Sequence, residues 1–133
     1  MNFSKWIQTA AAAVGAALGY LIGGLDSLVI ALLCFVAADY ITGICAAVYT
    51  KTLSSEIGFK GILKKICIFI LVCIANLIDV SVIGSGSTIR TAVIFFYISN
   101  EGISLLENAV RLGLPIPDKL KSILANLEKK ETE

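Results

Sequence analysis

Long apolar runs separated by short polar stretches make up most of this chain. The run from residue 28 to residue 49 contains one charged residue, Asp39, which lies near its centre. At about 1.5 Å of rise per residue, a helix of this length spans roughly 33 Å, which matches the roughly 30 Å hydrocarbon core of a bilayer. The pattern therefore predicts a membrane-spanning helix that carries a carboxylate at mid-depth.

Three further segments have the length and apolarity of membrane helices, namely residues 6–24, 66–83 and 89–112. Glycine-containing turns separate the first segment from the second and the third from the fourth. The four segments predict an all-α integral membrane protein, with two helical hairpins in a single membrane domain over residues 1–133. Pro115 and Pro117 end the fourth segment, and residues 113–133 are predicted to form a cytoplasmic tail with a short helix.

The fourth segment becomes amphipathic along its second half. Polar side chains recur there at helical spacing along one stripe: Tyr97, Asn100, Glu101, Ser104, Asn108 and Arg111. Such a stripe can line a water-filled lumen formed by several copies, or it can face water from a helix lying in the membrane interface. It can also pack inward, so that Glu101 pairs with a neighbour. The first alternative makes these six residues candidates for a pore lining.

Asp39 is the intramembrane carboxylate of the second segment. An ionised aspartate at the centre of a membrane helix costs about 2.5 to 3.5 kcal/mol on insertion scales. We therefore expect Asp39 to be neutral, to be paired, or to face water within an assembly.

Small residues form a second pattern, in the first segment. Gly15, Gly19 and Gly23 repeat every four residues and so lie along nearly one helical face. Glycines at this spacing let helix backbones approach closely in lipid, where the ordinary hydrophobic force between helices is missing. These three residues are predicted to pack a helix, either against the second segment or between subunits.

Composition and charge agree with a membrane location. Hydrophobic residues make up 57% of the chain, charged residues 16%, and the mean hydropathy of +0.88 lies far above that of soluble proteins. The net charge of +1 gives no reason to expect a nucleic-acid partner. Residues 50–65 carry four lysines and one glutamate, and this excess predicts that they form a cytoplasmic loop and that both termini are cytoplasmic.

Catalytic and metal chemistry find little support in the residue types present. The chain has no histidine, which is the commonest general base and metal ligand. The four cysteines lie inside apolar segments at spacings that match no metal site: Cys34, Cys45, Cys67 and Cys73. We expect no enzyme activity, no metal and no cofactor.

Two blocks of sequence resemble a known family. Residues 39–65 contain D-x-x-T-G, then S-S, G-x-x-G and K-K, and residues 100–120 contain N-E, a serine, E-N and P-x-P. In this order and spacing they resemble the toxin-secretion and phage-lysis holin family of small phage membrane proteins. The two blocks and the segment between them cover most of the chain after Leu28.

The resemblance implies a holin, a protein that accumulates in the host's cytoplasmic membrane and assembles into large pores. Its partners would be membrane lipid, further copies of itself, and an endolysin as cargo, or a toxin in some relatives. From the residues alone, a small oligomeric ion channel or a proton-coupled transporter using Asp39 remains an alternative. A membrane-bound assembly factor without a pore is a third.

Overall fold

The computed structural model describes residues 2–120, 122–123 and 126, and regular structure in this part of the chain is helical throughout. Its elements are α1 (Phe3–Ile22), α2 (Ser27–Tyr49), α3 (Ser55–Leu77), a π-helical continuation of α3 (Ile78–Ile83) and α4 (Thr88–Arg111). The all-α prediction is confirmed.

Three of these helices are long and apolar enough to cross a membrane: α2, α3 with its π-helical continuation, and α4. Their mean hydropathies are 2.3, 2.7 and 1.2 in that order. The helix α1 covers most of the predicted first segment but is not among them. The count of four membrane segments therefore stays a prediction. Three of the four predicted segments correspond to helices that are long and apolar enough to cross a membrane.

The third helix begins well before its predicted apolar segment. Ser54 ends the loop after α2, and its side chain accepts a hydrogen bond from the backbone N–H of Ile57 at 3.4 Å. Glu56 lies in the first turn, where a negative charge favours the helix N-terminus. As a result the polar stretch predicted as a loop is helical from Ser55 onward, and Lys65 lies inside α3 rather than before it.

The helix α4 lies against both α2 and α3, and its interface with α2 is the most extensive in the molecule. Arg90 near the start of α4 pairs with Asp26 just before α2, and Asn108 near the end of α4 reaches Asp39. These matched positions show that α2 and α4 run parallel, with α3 antiparallel to both. Gly102 lies at this interface, and a Cβ there would come into van der Waals contact with the ring of Phe35, at 3.4 Å.

The first helix packs differently from the predicted hairpin. Its main contacts are with α3 rather than with α2, whereas α2 contacts α4 most extensively. Nearly all of α1 before Gly19 is exposed. A Cβ built at Gly15 or Gly19 meets no atom of another described element within 4 Å, whereas at Gly23 it would collide with Asn76 and Arg90.

The apolar core is small and lies among α2, α3 and α4, with one residue from the end of α1: Ile22, Val29, Leu32, Val36, Ile68, Val72 and Ile94. Most other large apolar side chains point outward, as expected for helices whose surroundings are lipid. In the tail, residues 118–120, 122–123 and 126 are helical, and the remaining positions of the predicted tail helix lie outside the described residues.

Candidate functional site

A cluster of polar side chains lies at the centre of the three packed helices. We call it the polar cluster, and its members are Asp39 and Thr42 from α2, Lys65 from α3, and Glu101 and Asn108 from α4. Each of the three helices contributes at least one member.

Lys65 joins the two carboxylates of this cluster. Its Nζ donates to Oδ2 of Asp39 at 2.7 Å and to Oε2 of Glu101 at 2.9 Å. The side chains are 15% exposed for Lys65, 14% for Asp39 and 7% for Glu101. The two ion pairs are therefore largely buried inside the molecule. Hydrogen bonds between charged groups of this kind are strong.

Asn108 completes the cluster from the side of α4. Its Nδ2 lies 3.0 Å from Oδ1 of Asp39, 3.0 Å from the hydroxyl of Thr42 and 3.2 Å from the carbonyl of Asp39. The Thr42 hydroxyl in turn donates to the carbonyl of Ala38 at 2.8 Å. Over the described residues, every buried side-chain nitrogen and oxygen has a hydrogen-bond partner.

Helical spacing brings these residues together. Asp39 and Thr42 are three apart, and Glu101 and Asn108 are seven apart, so each pair lies on one face of its helix. From Ser27 to Asp39 is roughly 18 Å along α2, and from Asp39 to Tyr49 roughly 15 Å. The cluster therefore lies midway along a helix that is long enough to cross a membrane.

The polar stripe of α4 is divided within the monomer. Glu101 and Asn108 are buried in the polar cluster, which is the inward packing considered among the three sequence-based alternatives. Tyr97 and Ser104 are half-buried, and Asn100 and Arg111 are exposed. The role of all six as a pore lining stays a prediction.

Sequence reasoning singled out Asp39 as a candidate intramembrane carboxylate but missed its partner Lys65, which it assigned to a cytoplasmic loop. A signal was available in the glycines of the same stretch. Gly58 and Gly61 face Tyr40, whose ring carbons lie 3.6 and 3.8 Å from a Cβ built at Gly61. Lys65 follows these glycines at helical spacing, and the three together indicate a helix face turned towards α2.

Arg90 forms the centre of a second polar group, at the opposite end of the bundle from the loop between α2 and α3. The guanidinium donates from Nε to the carbonyl of Ile22 at 2.7 Å, and its two other nitrogens donate to the Asp26 carboxylate at 2.8 and 3.2 Å. One of them also donates to the carbonyl of Gly24 at 3.0 Å. Arg90 is 3% exposed, and it links α4 to the turn between α1 and α2.

Asp26 has two roles in that turn. Its side chain caps α2 by accepting the backbone N–H of Val29 at 3.0 Å, and it pairs with Arg90. The hydrogen bond from Arg90 holds the pKa of the Asp26 carboxyl below its usual 3.8, against the opposing effect of partial burial. The carboxylate therefore stays ionised through neutral and mildly acidic conditions.

Asp79 and Asn76 strengthen the same end of the molecule. Asp79 is 1% exposed and accepts the backbone N–H groups of Ile89 and Arg90 at 3.0 and 2.8 Å, so it caps α4 from the π-helical continuation of α3. Asn76 donates to the carbonyl of Leu21 at 3.0 Å. The end of α1 is thus held by hydrogen bonds from both α3 and α4.

Metal binding finds no support in the part of the chain that the structure describes. No group of three or more histidine, cysteine, aspartate or glutamate side chains there could hold a metal ion. The polar cluster carries a lysine between its two carboxylates, so the cation it accommodates is part of the protein.

These features indicate a small multi-pass helical membrane protein whose buried charges are paired with one another. The sequence profile of the bacteriophage holin family matches residues 16–129, and the chain belongs to that family. The family consists of membrane pore-forming proteins rather than enzymes, so the expectation of no catalysis is confirmed. The resemblance found in the two sequence blocks is confirmed as well.

Several bacterial and phage proteins are similar to this chain. An uncharacterized protein of Listeria monocytogenes is 52% identical over 119 residues, covering 90% of this chain and 84% of its own. An uncharacterized 14.9 kDa protein of Clostridium perfringens is 38% identical over 131 residues, covering 98% and 97%. A protein of Bacillus phage phi105 named "Probable holin" is 37% identical over 79 residues, covering 59% and 58%. No solved structure matches the chain.

Proposed function

We propose that this protein is a holin that accumulates in the cytoplasmic membrane of a bacterial host, oligomerises there, and opens pores large enough to release an endolysin. Family membership supports the class of function. The observation that carries the mechanism is the polar cluster, in which three charged side chains at mid-depth are paired within one chain.

Internal pairing accounts for a harmless monomer. Unpaired charges at this depth attract water and strain the bilayer, but inside the bundle Lys65 pairs with both Asp39 and Glu101. The dispersed protein therefore withdraws these three charges from lipid. The same groups can form equivalent contacts with a second copy, and above a critical density the internal contacts are exchanged for contacts between subunits.

The wall of the pore is assigned to the polar stripe of α4: Tyr97, Asn100, Glu101, Ser104, Asn108 and Arg111. Asn100 and Arg111 are already exposed. Glu101 and Asn108 must leave the polar cluster to join them, which requires α4 to rotate or to separate from α2. This requirement couples lumen formation to assembly, because the stripe becomes continuous only when the internal pairs have been given up.

Self-association is assigned in part to α1. Gly15 and Gly19 lie on a face that meets no other described element, while Gly23 is committed to the turn beside Asn76 and Arg90. A close helix pair between subunits would use the open glycines. Replacing both Gly15 and Gly19 by leucine is expected to delay lysis without unfolding the monomer.

Orientation follows from the basic residues at one end of the bundle. Exposed cations lie where α2 ends, in the first turns of α3, and at and after the end of α4: Lys51, Lys60, Arg111 and Lys119. The bias of positive charge towards the cytoplasm assigns this end, and the C-terminal tail with it, to the inside. The N-terminus lies on the same side if α1 also spans the membrane.

The decisive experiment is inducible expression in a bacterium that carries a cytoplasmic reporter enzyme. A holin is expected to cause abrupt growth arrest with release of the reporter across the inner membrane. Leakage of ions alone, with the reporter retained, would instead indicate a narrow channel or transporter that uses Asp39. No permeability change would contradict pore formation altogether.

A paired variant tests the assignment of the lumen. Glu101→Leu combined with Asn108→Leu removes the two buried members of the stripe and is expected to change both lysis timing and lesion size. Phe95→Leu combined with Val110→Leu is the matched control, because both residues are exposed apolar positions of the same helix. Unchanged timing and lesion size in the first variant would contradict the assignment.

A further inference from the structure

The polar cluster contains one more carboxylate than cation. Asp39 and Glu101 both bind Nζ of Lys65, and in the part of the chain that the structure describes no other basic side chain lies within ion-pair distance of either. Thr42 and Asn108 complete the cluster and do not titrate near neutral pH. The titratable groups are therefore one per helix: Asp39 from α2, Lys65 from α3 and Glu101 from α4.

Full ionisation would leave one uncompensated negative charge at the centre of the bundle. The Glu101 side chain is 7% exposed and that of Asp39 is 14% exposed, so neither carboxylate is well hydrated. Two carboxylates held on the same ammonium group also repel each other. Both effects are relieved when the pair of carboxylates binds a single proton.

The hydrogen bonds indicate which of the two carboxylates carries the proton. Both oxygens of Asp39 accept hydrogen bonds, one from Lys65 and the other from Asn108, so both are already occupied as acceptors. In the described part of the chain, the Glu101 carboxylate accepts one hydrogen bond, from Lys65. We propose that the polar cluster is a proton-binding site in which Asp39 and Glu101 share one proton, held chiefly by Glu101.

With one proton bound, the polar cluster is electrically neutral, because one carboxylate then remains to balance the ammonium group of Lys65. This part of the inference rests on the proposed function: the protonated cluster suits the dispersed monomer in lipid, and loss of the proton leaves a negative charge that only a hydrated lumen accommodates. Proton occupancy would then favour the monomer over the pore. Proton binding itself is argued from the geometry of the cluster alone.

Infrared spectroscopy of the full-length protein in phospholipid vesicles tests the site directly, since it distinguishes protonated from ionised side-chain carboxyls. At neutral pH the wild type is expected to show one protonated carboxyl. Glu101→Gln and Asp39→Asn should each abolish its band, because the remaining carboxylate then balances Lys65. Lys65→Gln should increase the band about twofold, since both carboxylates must then be neutral.

Glu56→Gln is the control, because Glu56 is an exposed carboxylate that pairs with Lys60 on the surface of α3. Its band is expected to equal that of the wild type. Absence of a protonated carboxyl in the wild type, or a band that survives both amide substitutions, would overturn the inference. Circular dichroism confirms that each variant is helical, and two independent amide variants keep the test valid if one misfolds. The spectrum requires no lysis, so failure of the proton site and failure of the holin proposal are distinguishable.

Discussion

Nζ of Lys65 lies 2.7 Å from Oδ2 of Asp39, although the two residues are 26 positions apart in the sequence and belong to different helices. The contact joins the middle of α2 to the middle of α3. It also holds α4 in place, because Glu101 binds the same ammonium group. One lysine therefore connects all three helices that are apolar enough to span the membrane.

Replacing Lys65 by methionine should destabilise the fold. The substitution keeps an unbranched side chain, one atom shorter, but leaves two carboxylates without a cation, and breaking a buried pair in this way costs about 3 kcal/mol. Lys64→Met is the matched control, because Lys64 is the neighbouring lysine and is exposed. Denaturant titration in detergent micelles measures the free energy of unfolding of both variants. An equal loss in the two variants would contradict a structural role for Lys65.

Arg90→Lys should weaken the attachment of α1. A lysine keeps the charge but has no planar fork to bind the Asp26 carboxylate and the carbonyls of Ile22 and Gly24 together. The expected cost is about 2 kcal/mol. Hydrogen exchange should show faster exchange in the last turn of α1, which ends at Ile22. Arg111→Lys, at an exposed position of α4, should leave exchange in α1 unchanged.

Gly23→Ala should be more damaging than Gly24→Ala. Both glycines have positive φ, +90° and +99°, which costs an alanine about 1 kcal/mol or more. Only at Gly23 does the added Cβ also meet Asn76 and Arg90, so the contacts that hold α1 must shift there. Thermal unfolding of the two variants separates the backbone effect from the collision. Equal melting temperatures would show that the neighbours of Gly23 adjust without cost.

Asp26→Asn should remove an acid-sensitive component of stability. The pKa of Asp26 is lower in the folded protein than its usual 3.8, so its ion pair stabilises the fold above that value and loses this effect as the pH falls through the lowered pKa. The contribution stays below about 1 kcal/mol because the side chain is nearly half exposed. Asparagine is also a good N-cap, so the substitution isolates the charge.

The comparison is an acid titration of unfolding for the wild type and Asp26→Asn. The wild type should lose stability over the titration of Asp26, and the variant should lack that part of the decline. Asp118→Asn, at an exposed position of the tail, provides the control. Parallel curves for wild type and Asp26→Asn would show that the pair with Arg90 does not stabilise the fold.

Helix boundaries were predictable where apolar length and capping residues coincide. The segment predicted at 28–49 is α2 from Ser27 to Tyr49, and that predicted at 89–112 is α4 from Thr88 to Arg111. The start of α3 could not be predicted in this way, because its first turns are too polar to be recognised as part of an apolar segment. Their helical character depends on the cap at Ser54 and on packing of Gly58 and Gly61 against Tyr40.

The partners of each helix were harder to predict than the helices. Neighbours in sequence suggest hairpins, but α4 packs mainly on α2, its neighbour but one. Asp39 was recognised because a lone carboxylate interrupts an apolar run. Lys65 was not, because a lysine in a basic stretch resembles an ordinary surface cation until its helix is known. The sequence pattern therefore indicated that Asp39 needs a partner, without indicating which.

The parallel packing of α4 on α2 has a consequence for synthesis of the chain. By mean hydropathy α4 is the least apolar of the three candidate spans, at 1.2, and it is the last to leave the ribosome. Three polar side chains of α4 have partners that precede α4 in the sequence. Arg90 pairs with Asp26, Glu101 with Lys65, and Asn108 with Asp39. The bilayer thus receives the most polar helix only after its counter-charges are in place.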